Sequence, residues 1–190
     1  KKISESETTF RGDNRDGIIA ASIYISCRIN NYPRTAKEIA SVFHLDATSA
    51  TKGCKNALSI INNLEKDMVN KDKTNFGKTK PEAFIERYCS KLNMNNELTM
   101  LSKFIAKKVE DNNIINDNTP HSIAAGIVYF IAQNCNMNIN KLDIKVICGV
   151  SEVTINKCFK KLENIKYPHV LILKFFNSIH LLSDNIASIM

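Results

Sequence analysis

An internal repeat constrains the fold of this chain more than any single motif does. Ile18-Ile19-Ala20-Ala21-Ser22-Ile23-Tyr24 returns 105 residues later as Ile123-Ala124-Ala125-Gly126-Ile127-Val128-Tyr129. Without a gap, the same offset pairs Glu38-Ile39 with Asp143-Ile144, Leu45 with Val150, and Lys55 with Lys160. A solenoid unit repeats every 20–50 residues or so, whereas this period suits a whole small domain. The expectation is therefore two tandem copies of one domain.

Both copies are helical. Four prolines and six glycines in 190 residues supply little of the turn chemistry an all-β chain needs. An apolar content of 44% gives each copy enough to build a core. No apolar run reaches the roughly 18 residues of a membrane span, so no membrane partner is expected. Cys27, Cys54, Cys89, Cys135, Cys148 and Cys158 are irregularly spaced, without a CxxC pair. They read as reduced thiols filling helical cores, and no metal site is expected in this stretch. Lysine outnumbers arginine 21 to 5, and Asn and Ile abound, a bias of AT-rich genomes.

The second copy reads as five helices: Pro81 to Leu92, Glu97 to Glu110, a central helix from Thr119-Pro120 to about Gln133, Asn140 to Cys148, and a last one capped by Ser151. Small and apolar residues on every side of the central helix mark it as buried. Thr119 serves as its expected cap, with proline in the first turn. The first copy repeats only the last three helices. Asp13 or Asn14 opens its central helix, Thr35-Ala36-Lys37-Glu38 is a capping box, and the final helix starts near Asp46. That copy is expected to be truncated, with the protein continuing upstream. The expected domains are residues 1–65 for the first repeat, 66–80 for a lysine-rich linker, 81–167 for the second repeat, and 168–190 for an apolar, helical extension.

The net charge of +7 favours an anionic partner such as nucleic acid, although lysine-rich surfaces also follow from base composition. The last two helices of the second copy, joined at Gly149, have the spacing of a helix-turn-helix. In such a unit Glu152, Val153, Thr154 and Asn156 reach base edges, while Lys157, Lys160 and Lys161 follow the phosphates. Lys55 is the counterpart of Lys160 in the first copy. A structural helical hairpin with a solvated lysine face has the same pattern. No catalytic constellation accompanies it: His44, His121, His169 and His180 are scattered, and no phosphate loop or nucleophile elbow is present.

Asn14 to Arg28, followed by Tyr32-Pro33-Arg34-Thr35-Ala36-Lys37-Glu38-Ile39, resembles the first cyclin-like repeat of transcription factor IIB and its archaeal counterpart. Thr119 to Ala125, Gly149-Val150-Ser151-Glu152-Val153-Thr154-Ile155 and Tyr167-Pro168 resemble its second repeat. The resemblance spans roughly residues 10–168. It implies an all-α pair of cyclin-like five-helix domains, each ending in a helix-turn-helix, that binds TATA-binding protein and promoter DNA and helps recruit RNA polymerase. It further implies a zinc ribbon upstream of Lys1, with zinc as its metal, and a location in the nucleus, or in a cytoplasmic factory if the source is a large DNA virus. Arg34 and Lys37 then become contacts to TATA-binding protein, and Arg11, Gly12 and Arg15 a loop entering the minor groove. Two positions depart from the family: Asn156 stands where an arginine is expected, and Asp13 replaces a second arginine. Arginine suits guanine, whereas asparagine pairs bidentately with adenine. The alternative is a cyclin-like adaptor that binds a kinase or another protein and never touches DNA, since one scaffold serves both.

Overall fold

The computed structural model describes residues 11–164, all helix, turn and loop, with no strand among them. The expected extension at 168–190 and the Tyr167-Pro168 pair lie outside the described residues. The chain divides into two compact units, with the boundary between Thr79 and Lys80.

In the first unit, α1 (Asp13–Ile29) packs on α3 (Ala47–Leu64), and α2 (Ala36–Val42) touches both. The helix starts follow local chemistry. Thr35 and Glu38 form a reciprocal capping box: the Glu38 N–H donates to Thr35 Oγ1 at 3.1 Å, and the Thr35 N–H to Glu38 Oε2 at 2.7 Å. Asp46 caps α3 by accepting from the Thr48 and Ser49 N–H groups at 2.6 and 2.8 Å. Those bonds and the Ser49 hydroxyl hold its carboxyl below the usual carboxylate range. α1 opens at Asp13, one of the two starts expected; Gly12, at φ 53°, precedes it, and no side chain caps the helix.

Ala21, Ile25, Ala57 and Ile61 form the core of the first unit, with Tyr24, Cys54 and Phe76 against it. Phe76 comes from the segment read as a linker. That segment is laid on the first unit as far as Gly77: Thr74 donates its N–H to buried Glu65 at 2.7 Å and its hydroxyl to the same carboxylate, and Arg28 donates to the Gly77 carbonyl at 3.0 Å.

The second unit contains α4 (Glu82–Lys91), α5 (Asn96–Asp111), α6 (Pro120–Asn134), α7 (Lys141–Cys148) and α8 (Glu152–Glu163). Every residue from Ser122 to Ala132 is buried, because α4, α5, α7 and α8 all pack on α6. Phe159 of α8 seats between Tyr129 and Phe130, with ring centroids 5.2 and 6.1 Å away. Thr119 is the N-cap residue, as expected, with Pro120 in the first turn, but its hydroxyl bonds no backbone N–H and pairs instead with the Ser122 hydroxyl at 2.9 Å. Glu110 is paired with Lys80 at 3.5 Å, and its side chain is only 21% exposed. All six cysteines are free thiols, with Cys89, Cys148 and Cys158 buried.

The central and last helices approach each other closely in both units. A Cβ placed on Gly126 would fall 2.3 Å from Cys158 Cβ, and one on Gly53 would fall 2.1 Å from the Gly17 carbonyl oxygen. Cys158 and Gly53 occupy the same position of the repeat, so both copies set the distance of their last helix there.

Candidate nucleic-acid interface

The α7–α8 pair is built by three local devices. Asn140 and Asp143 form a capping box at the start of α7. Gly149 closes that helix at φ 67°, a left-handed conformation that favours glycine. Ser151 then caps α8 by accepting from the Thr154 N–H at 3.3 Å.

Ile155, Cys158 and Leu162 carry α8 into the core. The spacing of those three leaves Val153, Asn156, Lys157 and Lys160 along the opposite side, at i, i+3, i+4 and i+7. Val153, in the first turn of α8, is 80% exposed. Asn156 is half-buried and Lys160 exposed.

Two of the expected base-contacting residues are occupied within the protein. The Thr154 hydroxyl lies 2.9 Å from that of Ser151 and belongs to the cap. Glu152 is bound to Lys145 of α7 at 3.0 Å, pinning one helix to the other. Two of the expected phosphate-contacting residues are also paired. Lys157 Nζ lies 2.7 Å from Asp117 Oδ2, and Lys161 Nζ donates to the other oxygen of the same carboxylate. These bonds hold the Asp117 carboxyl far below the ordinary carboxylate range and raise the Lys157 ammonium.

The first unit presents the same face. Thr48, Thr51, Lys52 and Lys55 line an open groove of about 540 Å³. At the 105-residue offset they correspond to Val153, Asn156, Lys157 and Lys160. Lys52 and the two threonines escaped the sequence reading, yet the repeat offset from Lys157 points straight at Lys52. Arg11, Gly12 and Arg15 are exposed at the start of α1. That end of α1 adjoins the first half of α3, since Gly17 closely approaches both Ser49 and Gly53. Arg34 is half-buried and precedes the cap residue Thr35, so it lies just before α2, whereas Lys37 is exposed in the first turn of that helix. Among the described residues no group of three or more His, Cys, Asp or Glu side chains could hold a metal ion, and no helix is long and apolar enough to cross a membrane.

Two helical units that each end in a short helix, a turn and a longer helix with a polar, partly basic outer face define a tandem-repeat protein of the helix-turn-helix kind. The transcription factor TFIIB repeat matches residues 2–58 and again 74–165. The chain thus belongs to the transcription factor IIB family, a family of transcription initiation factors and not of enzymes. It is 39% identical over 152 residues to a transcription initiation factor IIB-like protein of Acanthamoeba polyphaga mimivirus, a match covering 80% of this chain and 32% of that protein. Transcription initiation factor IIB of Glycine max is 34% identical, over 87% of this chain and 50% of its own length. That of Encephalitozoon cuniculi is 32% identical, over 86% and 49%. The chain thus spans about a third to a half of these relatives.

Proposed function

We propose that these residues form the part of an initiation factor that binds TATA-binding protein and promoter DNA beside the TATA box, and so helps bring in RNA polymerase. The observation that carries this reading is the outer face of α8. An 80%-exposed valine there is followed by an asparagine and two lysines on one side of a helix held at its start by a glycine turn and a serine cap. A helix presented in this way fits the major groove, with Val153 and Asn156 at base edges and Lys160 at the backbone. Arg11 and Arg15 suit the minor groove on the other side, and Lys37 an acidic patch of TATA-binding protein.

The test is a gel shift on a TATA duplex, with and without TATA-binding protein, across a salt series. A ternary complex that weakens steeply as salt rises supports the reading, because each phosphate contact adds about 0.9 to the slope of log affinity against log salt. No shift under any condition would instead assign the chain to protein-only partners.

A further inference from the structure

The second unit carries an acidic group where its DNA-facing charge is concentrated. Asp117 sits in the loop before α6, two residues after Ile115, which is buried in the core and anchors that loop. From there its carboxylate reaches Lys157 and Lys161, 40 and 44 residues away, on α8. Of the three lysines near the outer face of that helix, Lys160 makes no ion pair among the described residues. Asp117 is itself about half exposed, so it stands beside the surface that a duplex would approach.

The first unit lacks this arrangement. At the 105-residue offset, Gly12 takes the place of Asp117, Lys52 that of Lys157, and Asn56 that of Lys161. The groove-lining Lys52 and Lys55 make no ion pair among the described residues.

We infer that Asp117 is a specificity-determining residue, which withholds Lys157 and Lys161 from the phosphate backbone and so trims the sequence-independent affinity of α8. A lysine that turned to a phosphate would have to leave a carboxylate it already touches. It would also strand that carboxylate against the DNA, where like charges repel. The hold of α8 on any duplex thus rests on Lys160, and discrimination passes to Val153 and Asn156. Backbone contacts carry no sequence information, so removing some of them raises the ratio of specific to non-specific binding. The inference rests on the reading of α8 as a DNA-contacting helix.

The experiment titrates the whole chain onto a short mixed-sequence duplex by fluorescence anisotropy, over salt from about 50 to about 200 mM. Asp117→Asn keeps the shape and removes the charge. It is expected to bind more tightly at low salt, with a slope steeper by about 0.9 for each lysine freed and about 1.8 for both. Equivalently, its advantage over the wild type shrinks about 3.5-fold per freed lysine across that fourfold rise in salt. Adding Lys157→Ala and Lys161→Ala to Asp117→Asn should abolish the gain. Lys160→Ala is the control for the underlying reading. If Lys160→Ala weakens binding while Asp117→Asn matches the wild type in affinity and slope, the role of Asp117 is overturned and α8 remains a DNA helix. If the wild type shows no salt-dependent binding here and no shift on the TATA duplex with TATA-binding protein, and Lys160→Ala changes nothing in either assay, the DNA reading itself fails, and this inference with it.

Discussion

Gly126→Ala adds one methyl group where the second unit has no room for it. That carbon would lie 2.3 Å from Cys158 Cβ, against 3.4–4 Å for an ordinary contact, so α6 and α8 must part by about 1 Å. Overpacking of this kind costs about 1–3 kcal/mol, and the upper end applies because both clashing atoms are fixed to helix backbones. Alanine gains about 1 kcal/mol over glycine in helix propensity. The net loss is about 2 kcal/mol, a fall of about 1 M in the urea midpoint. Cys158→Gly alone should also destabilise, since it empties a buried site and puts glycine inside a helix. The double variant Gly126→Ala, Cys158→Gly should be far more stable than the sum of the two losses. The next atoms a Cβ at 126 would meet lie 3.5 and 3.6 Å away, in ordinary contact. A coupling of about 2–3 kcal/mol is expected, at the high end for neighbouring residues. Urea unfolding followed by far-ultraviolet circular dichroism gives the energies, and amide exchange in α6 and α8 assigns them to the second unit. Strictly additive losses, or a Gly126→Ala chain with the wild-type midpoint, would refute the close crossing.

Gly53→Ala meets the Gly17 backbone at 2.1 Å, where no side chain can be trimmed to make room. The same denaturation assay should show a larger loss than for Gly126→Ala, confined to the first unit. Burial pushes the Cys158 thiol up to about 11 from 9.0. Above pH 9 the unfolded chain therefore loses that proton while the folded one keeps it, and stability falls as pH rises towards 11, by at most about 2–3 kcal/mol. The fall should be smaller in Cys158→Ala; an equal pH slope in both chains would contradict the assignment. Asn156→Arg is expected to move the preferred base opposite α8 from adenine to guanine, by about 1–3 kcal/mol of discrimination. Selection from a promoter library reads this directly, and an unchanged preference at every position would mean Asn156 touches no base.

The helices were legible because what makes them is local. The Thr35–Glu38 box, the Asp46 and Ser151 caps, the left-handed Gly149 and the apolar run of α6 all act within three or four residues, the range over which helical side chains meet. Repetition of one pattern at a fixed offset added the architecture, and the Gly-Val-x-x-Val-Thr-Ile segment pointed to the face of α8. Local spacing showed which residues share a face but not which of them bond to one another: the Thr154 hydroxyl joins the Ser151 cap, and Glu152 pairs with Lys145 of the neighbouring helix.

The 105-residue repeat by itself determined that the chain folds as two related helical units, and its motifs determined the family. Tertiary structure alone decided which charges are spent inside the protein. Asp117 meets Lys157 and Lys161 only because α8 packs on α6 and brings its flank beside the loop that precedes α6. Phe76 closes on the first core, and Gly126 faces Cys158, for the same kind of reason. Sequence spacing carries the period of a helix, whereas the partner of a residue 40 positions away depends on how helices cross. Crossing geometry is set by the side chains at the contact and not by any local pattern.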